Sequence, residues 1–444
     1  MPFAPRTPLA PLDPPRRLLM GSGPSNPEPR VLQAMAAPPP LPGEPAFDGL
    51  LDDLQQLGRR VFRTTNAATL ALPGASRAGI EAVLASLIEP GDRVMVGVYG
   101  HFGELLGTLA ARHGATVERV EAPTWGQPVD PAALVQVIAQ RPPKVVAIVH
   151  ADTSTGIVQP LAAIGAACRA HGALFVVDAV LSLGGCELST DDWSIDAAIG
   201  GLQKCLGGPP GLAPLTFNAR VEQARAERRQ VPRSRTLDLA VHAAAWIGRR
   251  DLASYATAGS LLLALREALR LIESEGLAAR WERHQCASRM LGAGLEAMGL
   301  RLFGDRAHAV PMITLVEVPA GVDDAAVRAQ LLAEHGIEIM AAFGPLRGRV
   351  WRIGTMGTNA QLPSVLAVLA GLEAVLAARG VPIARGAAVD AALAEHHATV
   401  ARRQQHVDAV ANQADRDQRQ QPGAERLAGE AGQGTTQAAG LIGP

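Results

Sequence analysis

Between residues 70 and 180, short apolar runs alternate with segments of helical pattern, and this alternation restricts the folds open to the chain. Apolar runs stand at 93–99, 144–149 and 173–180, and a helical segment follows each of the first two. The run at 173–180, ALFVVDAV, has no alternation of polar and apolar side chains, which is typical of a strand covered on both faces. Strands and helices in this order predict an α/β fold in which helices cover both faces of a parallel sheet.

The second half of the chain has a different pattern. Two long helices are predicted at 259–275 and 277–298, followed by three short strands and two further helices, which is typical of a smaller α/β domain. Proline is dense in the first 40 residues, and small and polar residues dominate from residue 401 onward. We therefore expect an N-terminal arm at 1–40, a large domain at 41–257, a small domain at 258–385 to which the arm contributes, and a fraying helix that becomes a disordered tail at 400–444.

Charge and cysteine content argue against several classes of protein. The 41 basic and 42 acidic residues leave a net charge of −1, which does not suit a nucleic-acid partner held by bulk positive charge. No apolar run approaches the roughly 18 residues of a membrane span, and residues 1–29 lack the apolar core of a signal peptide. The cysteines are widely spaced, without the pairing of a disulfide framework or a zinc ribbon: Cys168, Cys186, Cys205 and Cys286. We therefore expect a cytoplasmic protein without a metal, a membrane or a nucleic-acid partner.

Lysine is almost absent, since Lys144 and Lys204 are the only lysines among 41 basic residues. A lysine kept in such a chain is a candidate for chemistry that arginine cannot do, because a guanidinium neither deprotonates nor forms a Schiff base. Lys204 follows a strand end and precedes the turn GGPPG at 207–211, so it can point into a crevice at the carboxyl edge of the sheet. Lys144 follows two prolines at a strand start, on the opposite edge, where a solvated surface lysine is the better interpretation.

Two further charged residues stand inside apolar runs. Asp178 stands near the end of the buried run at 173–180, and an ionised carboxylate there needs a partner. That partner is either a structural ion pair or helix cap, or the ring nitrogen of a cofactor. Arg352, in the strand-like run VWRIG, suits a planar anion such as a carboxylate, or alternatively a structural ion pair.

Three loops complete the set of candidates. The segment GASRAG at 74–79 opens a helix with small residues, so its backbone amides can approach an anion, although most such turns are only caps. Phe102 directly follows a strand in a chain with only 3% aromatic residues, which suits either a stacking surface or helix–sheet packing. The segment HADTSTG at 150–156 offers hydroxyl groups at the same edge as Asp178, or is an ordinary turn.

Taken together, these segments resemble the class V family of pyridoxal-phosphate-dependent aminotransferases over about residues 20–379. The nearest subfamily is that of the (S)-ureidoglycine–glyoxylate aminotransferases of purine breakdown, which are similar at SRAGIEAVLAS, STGIVQPLAAIG, IDAAIGGLQKCL, GLRLFGD and WRIGTMG. Alanine–glyoxylate and serine–glyoxylate aminotransferases share a looser form of the pattern. The resemblance implies a fold type I transferase, with a mostly parallel seven-stranded sheet in the large domain and a smaller C-terminal α/β domain.

The resemblance also implies a cofactor, pyridoxal 5'-phosphate, and roles for individual residues. Lys204 would form the Schiff base with the cofactor and then move the substrate proton, and Asp178 would keep the pyridine nitrogen protonated. Phe102 would stack on the ring. The remaining expected contacts are Thr153 with the ring hydroxyl, Ala75, Ser76 and Arg77 with the phosphate, Gln203 beside the phosphate, Arg352 with the substrate carboxylate, and Gly23 in the loop GSGP that closes the substrate side.

The implied reaction is a ping-pong transfer of an amino group from a small amino donor to glyoxylate or pyruvate, in a homodimer with composite active sites. The sequence departs from the subfamily at several places, among them the early loop at 40–42 and a shortened region at 220–238; most notably, Ala253–Ala256 (ASYA) replaces an Asn-His-His-Thr-like segment. Its asparagine is expected to recognise a ureido group and its threonine to bind phosphate. Alanine or serine therefore remains an alternative amino donor. A degenerate paralogue that binds the cofactor weakly remains an alternative to an active enzyme. A cysteine desulfurase or a lyase is disfavoured, since no cysteine lies in 287–444.

Overall fold

The computed structural model describes residues 11–249 and 258–419. Its α-helices, in chain order, are α1 (Pro29–Met35), α2 (Pro45–Phe62), α3 (Ser76–Leu87), α4 (His101–Arg112), α5 (Pro131–Gln140), α6 (Ala162–Ala170), α7 (Ala219–Ala226), α8 (Leu239–Trp246), α9 (Gly259–Glu275), α10 (Leu277–Ala297), α11 (Asp324–His335), α12 (Leu362–Ala378) and α13 (Ala387–Arg419). Its strands are β1 (Leu18–Leu19), β2 (Ala68–Pro73), β3 (Arg93–Val98), β4 (Thr116–Glu121), β5 (Val145–Val149), β6 (Ala151–Asp152), β7 (Ile157–Val158), β8 (Leu174–Asp178), β9 (Ala197–Ile199), β10 (Leu212–Phe217), β11 (Ile313–Glu317), β12 (Ile337–Glu338), β13 (Met340–Ala341) and β14 (Val350–Gly354).

Within these residues, seven strands form the large sheet, in the order β2-β10-β9-β8-β5-β3-β4. The pairs among β3, β4, β5, β8 and β9 are parallel, whereas β10 runs antiparallel to both of its neighbours. The predicted mostly parallel sheet is thus confirmed. The alternation did not predict β10, because Pro214 stands inside it and a proline argues against a central strand.

The strands at the centre of this sheet are buried along their whole length. Every residue of β5 and of β8 is buried, since helices cover both faces, and this is why their sequences lack alternation. Parallel strands bring their carboxyl ends to one edge of the sheet, and ligands of open α/β sheets bind at that edge. The loops after β3, β5, β8 and β9 all leave from it.

The smaller α/β part predicted for the second half is also confirmed. Strands β11, β14 and β13 form an antiparallel sheet, and α10 and α12 pack with it around a second apolar core that includes Met290, Trp351 and Leu369. The arm joins this part, because β1 pairs with β12 and Met20 lies in the same core. Among the described residues, those up to 395 form one compact unit and those from 396 to 419 belong to a second one. The boundaries at 41 and 258 therefore stay predictions.

The C-terminal segment contains more helix than expected. Helix α13 continues from Ala387 to Arg419, past the point at which a tail was predicted to begin, and its sequence is rich in alanine and glutamine, which favour helix. The rest of the predicted tail, 420–444, lies outside the described residues. None of the helices described between residues 11 and 419 is both long and apolar enough to cross a membrane.

Candidate active site

A cavity of about 370 Å³ lies at the carboxyl edge of the large sheet. Its volume is within the range of small-molecule sites. Every residue predicted to bind the cofactor lies on its wall. The lining residues are Ala75, Ser76, Arg77, Ile80, Phe102, Leu105, Val149, Ala151, Thr153, Asp178, Val180, Leu181, Gln203 and Lys204. The two predicted substrate residues, Gly23 and Arg352, lie next to residues of this wall.

Lys204 reaches the cavity from the loop after β9. Its Nζ donates a hydrogen bond to the carbonyl oxygen of Ser22, in the arm. Burial lowers the pKa of the Lys204 amine to about 8. A substantial fraction of this amine is therefore neutral, and hence nucleophilic, near pH 8. Lys144, in contrast, lies half-buried at the opposite edge of the sheet and forms an ion pair of 2.6 Å with Asp92, so it is a structural lysine rather than a freely solvated one.

Gly23 lies against the amine of Lys204. A Cβ atom at this position would collide with Nζ, Cδ and Cε of that side chain. The backbone φ of Gly23 is +105°, in the region that favours glycine. The backbone conformation favours glycine at this position, and a larger residue would displace the Lys204 side chain that the arm covers.

Asp178 is the last residue of β8, opposite Val149 of β5 and Ile199 of β9. It is 5% exposed, and burial raises its pKa to about 7. Its Oδ1 accepts a hydrogen bond of 2.9 Å from the amide of Val180, while Oδ2 has no hydrogen-bond partner among the described residues. A carboxylate held in this state fits a protonated ring nitrogen, which would supply the missing donor and the opposite charge.

The start of α3 forms the anion-binding end of the cavity. Ala75 is the N-cap residue, and its side chain supplies no hydrogen bond to the first amides of the helix. The side chain of Gln203 donates a hydrogen bond of 3.1 Å to Ser76 Oγ, which joins the Lys204 loop to the helix start. Arg77 is exposed and forms no ion pair within the part of the chain that the structure describes. Free amides, a helix N-terminus and a guanidinium together suit a phosphate group.

Arg352 is a buried guanidinium without a counter-ion. It is 3% exposed, and no carboxylate of the described residues lies within 4.0 Å of it. Its Nε donates to the carbonyl of Ala341 at 2.8 Å and its Nη1 to the carbonyl of Thr153 at 3.1 Å, while Nη2 has no partner among the described side chains and backbone groups. Burial lowers its pKa to about 10, which leaves it charged at neutral pH. Its geometry therefore does not match the structural ion pair considered from the sequence, and it suits a carboxylate ligand.

Sequence reasoning missed the aromatic group beside Arg352. The ring of Phe343 lies 4.3 Å from the Arg352 guanidinium and stacks on His101 with the ring centroids 4.6 Å apart. Phe343 also meets Phe102 edge to face, at 6.2 Å between centroids. Its signal in the sequence was an aromatic residue before Gly344-Pro345, in a chain with few aromatic residues. Phe343 connects the predicted stacking surface to the predicted carboxylate site.

The cavity can hold a flat ring that carries an aldehyde and a phosphate. Phe102 and Asp178 supply an aromatic surface and a carboxylate, Lys204 an amine of lowered pKa, and the start of α3 a set of free amides. The unpartnered Oδ2 of Asp178 and the uncapped helix start are the two features that such a ligand would satisfy. The residues present therefore fit pyridoxal 5'-phosphate.

Comparison with known proteins decides the family. The family model described as aminotransferase class-V matches residues 52–346. The chain belongs to the class V aminotransferases. It is 47% identical over 397 residues to the (S)-ureidoglycine–glyoxylate transaminase of Bacillus subtilis, a match that covers 85% of this chain and 95% of that protein.

Two further comparisons agree with this assignment. This class V aminotransferase is 36% identical over 367 residues to the alanine–glyoxylate aminotransferase of Drosophila melanogaster, covering 82% of this chain and 93% of the relative. The crystal structure of the Bacillus subtilis ureidoglycine–glyoxylate aminotransferase matches with a TM-score of 0.85 at 48% identity, covering 87% of this chain and 99% of that one. The predicted family and the predicted fold type I are thus confirmed, and the chain is a transaminase.

Proposed function

We propose that this transaminase uses pyridoxal 5'-phosphate to move an amino group from (S)-ureidoglycine to glyoxylate. The observation that carries the proposal is the single cavity in which Lys204, Asp178 and the start of α3 meet, with Arg352 at its edge. When bound, the cofactor withdraws electrons from the substrate α-carbon. The proposed contacts are Ala75, Ser76, Arg77 and Gln203 with the phosphate, Phe102 with the ring face, Thr153 with the ring hydroxyl and Asp178 with the ring nitrogen.

Lys204 is the proposed acid–base residue. As a neutral amine, its Nζ takes the proton from the α-carbon of the donor, and as an ammonium it gives a proton to the α-carbon of the amino acid formed from the acceptor. Its lowered pKa keeps both forms accessible near neutral pH. Asp178, whose Oδ2 has no other partner among the described residues, keeps the ring nitrogen protonated through charge and a hydrogen bond.

Arg352 is the proposed carboxylate site for both substrates. Amino donor and oxo-acid acceptor each carry a carboxylate next to the reacting carbon, so one guanidinium can orient them in turn. The donor must then leave as an oxo acid before the acceptor binds. We therefore expect ping-pong kinetics.

The amino donor is proposed from similar transaminases as well as from the residues of the site. The 47% identity to a (S)-ureidoglycine–glyoxylate transaminase favours ureidoglycine, and with it a place in purine breakdown. Alanine is the second candidate, because Ala253–Ala256 lacks the asparagine expected for a ureido group and alanine–glyoxylate aminotransferases are also similar. Ala253–Ala256 lies outside the described residues, so the substitution enters here as a property of the sequence alone.

The proposal includes a homodimer in the cytoplasm. Leu32 and Met35 of the arm and Leu41 directly after it are 45%, 36% and 57% exposed, and apolar side chains grouped on one stretch of chain favour burial against a second copy. The four cysteines, all within the described residues, are free thiols, which suits a reducing compartment.

The visible absorption spectrum of the purified protein tests the proposal. We expect a cofactor band that bleaches when freshly generated ureidoglycine is added and returns with glyoxylate. Alanine and serine, added separately, serve as competing donors. Bleaching by alanine alone would assign the second candidate, and no band after addition of pyridoxal 5'-phosphate would favour the degenerate paralogue.

A further inference from the structure

The start of helix α4 is capped by side chains from a different loop. Gly100, the residue before the helix, has no side chain to offer, so the first amides need other acceptors. The amide of His101 donates to Ser154 Oγ at 2.8 Å, and the amide of Phe102 donates to Asp152 Oδ2 at 3.2 Å. The end of β6 and the turn that follows it thus supply the cap of the helix that carries Phe102.

Asp152 and Ser154 are also bonded to each other. Asp152 Oδ1 accepts from the amide of Ser154 at 2.7 Å and from its hydroxyl at 2.6 Å. The Ser154 hydroxyl therefore donates to Asp152 and accepts from His101. Both side chains are fully buried. Burial raises the pKa of the Asp152 carboxyl, and the hydrogen bonds from Ser154 and Phe102 offset part of that increase.

Gly100 allows this close approach. An added Cβ atom would lie 2.5 Å from Asp152 Oδ2 and 2.6 Å from Ser154 Oγ. The backbone of Gly100 is extended, with φ −178°, so its conformation alone does not require glycine. The close contact with the side chains of Asp152 and Ser154 does require glycine, because a Cβ atom would overlap them.

The residue between the two caps belongs to the cavity. Thr153 lines the cavity with Phe102, and its carbonyl accepts the hydrogen bond from Arg352 Nη1. One turn of three residues therefore contacts the aromatic surface, the ring-hydroxyl site and the carboxylate site.

We propose that Asp152 and Ser154 are positioning residues that fix Phe102, Thr153 and Arg352 relative to one another. The inference rests on the proposed function and adds to it the element that aligns the cofactor ring with the substrate carboxylate. Groups that orient reacting atoms must be held to within a fraction of an ångström by their surroundings. The buried, fully bonded cap meets this requirement, since a shift of Asp152 or Ser154 would move both ends of the site.

The test compares Ser154→Ala and Asp152→Asn with a matched control, Thr155→Val. Thr155 is equally buried in the same turn, but its hydroxyl has no hydrogen-bond partner in the described part of the chain. Three quantities are measured: amide hydrogen exchange of a peptide containing residues 101–102 in cofactor-free protein, the Kd of pyridoxal 5'-phosphate, and the visible circular dichroism of each bound cofactor.

We expect about tenfold faster exchange, about tenfold weaker cofactor binding and a smaller dichroic signal in Ser154→Ala and Asp152→Asn. Thr155→Val should stay within about twofold of the wild type. The double variant should lose less than the product of the single losses, because the two residues act as one unit.

A loss of thermal stability with unchanged exchange, Kd and dichroism would overturn the inference, because the cap would then be only structural. If Asp152→Asn does not fold, the same three measurements on Ser154→Ala, which removes only one hydroxyl group, test the inference. Failure of the wild type to bind pyridoxal 5'-phosphate would contradict the proposed function, while the exchange measurement would still test the cap.

Discussion

Replacing Asp178 with asparagine should stabilise the cofactor-free protein and inactivate the enzyme. In the absence of a ring nitrogen, the buried carboxylate of Asp178 has one hydrogen bond and no cationic partner, and its pKa is raised to about 7. An asparagine oxygen can accept the same bond from Val180 without the charge. Asp178 therefore lowers the stability of the cofactor-free protein, because its charge is matched only when the cofactor is bound.

The sign and size of the effect follow from proton linkage. Between about pH 4 and pH 7 the folded protein binds more protons at Asp178 than the unfolded chain, so stability falls as the pH rises. A rise in pKa from 3.8 to about 7 corresponds to about 4 kcal/mol at 1.36 kcal/mol per pKa unit. Asp178→Asn should therefore be more stable than the wild type by up to about 4 kcal/mol at pH 8, and the difference should vanish near pH 4.

The assay is urea unfolding of both cofactor-free proteins at pH 4.5 and pH 8, at equal protein concentration. Asp196→Asn is the contrasting control. Asp196 is also buried, but it accepts 2.7 and 2.9 Å bonds from Arg220, so its variant should lose about 3 kcal/mol. With cofactor, Asp178→Asn should lower kcat about 100-fold or more. A variant that is less stable than the wild type at pH 8, or one that keeps its kcat, would refute the reasoning.

Three further predictions concern the proposed roles. Lys204→Ala should lower the rate of amino transfer by about 10⁴-fold in a coupled assay, and added methylamine, a replacement amine, should restore part of it. Arg352→Lys should raise the KM for glyoxylate about ten- to 100-fold with a smaller change in kcat, because one charged hydrogen bond is lost; an unchanged KM would exclude the carboxylate role. Gly23→Ala should weaken cofactor binding, because the added methyl group collides with Lys204, whereas Gly43→Ala, at φ +98° with no atom within 4 Å of the added carbon, should bind normally. If Gly23→Ala and Gly43→Ala weakened cofactor binding equally, backbone strain rather than the collision with Lys204 would be the cause.

The parts of the structure that the sequence could predict are local in the chain. Helix α3 begins at Ser76, within the segment GASRAG that was predicted to open a helix, because small residues favour such a start. Asp178 and Lys204 could be assigned to one edge because Asp178 ends one strand of the parallel sheet and Lys204 follows another. Periodicity and turn residues carry this information without knowledge of the remaining fold.

The contacts that escaped prediction join distant segments. Arg352 and Thr153 lie 199 positions apart, and nothing in either segment indicates the other. Phe343 and the capping role of Asp152 depend in the same way on how the smaller sheet and the turn after β5 meet helix α4. Such pairings follow from the packing of whole elements rather than from local pattern.

The most direct test of the central claim is borohydride reduction of the protein with pyridoxal 5'-phosphate, followed by proteolysis and mass spectrometry. The reaction fixes the cofactor to the amine that holds it, and the chain has only two lysines. We expect the label on Lys204, in the peptide that contains GLQKCL, and none on Lys144. A label on Lys144 alone, or no label from a folded protein, would contradict the assignment of Lys204 as the residue that carries the chemistry.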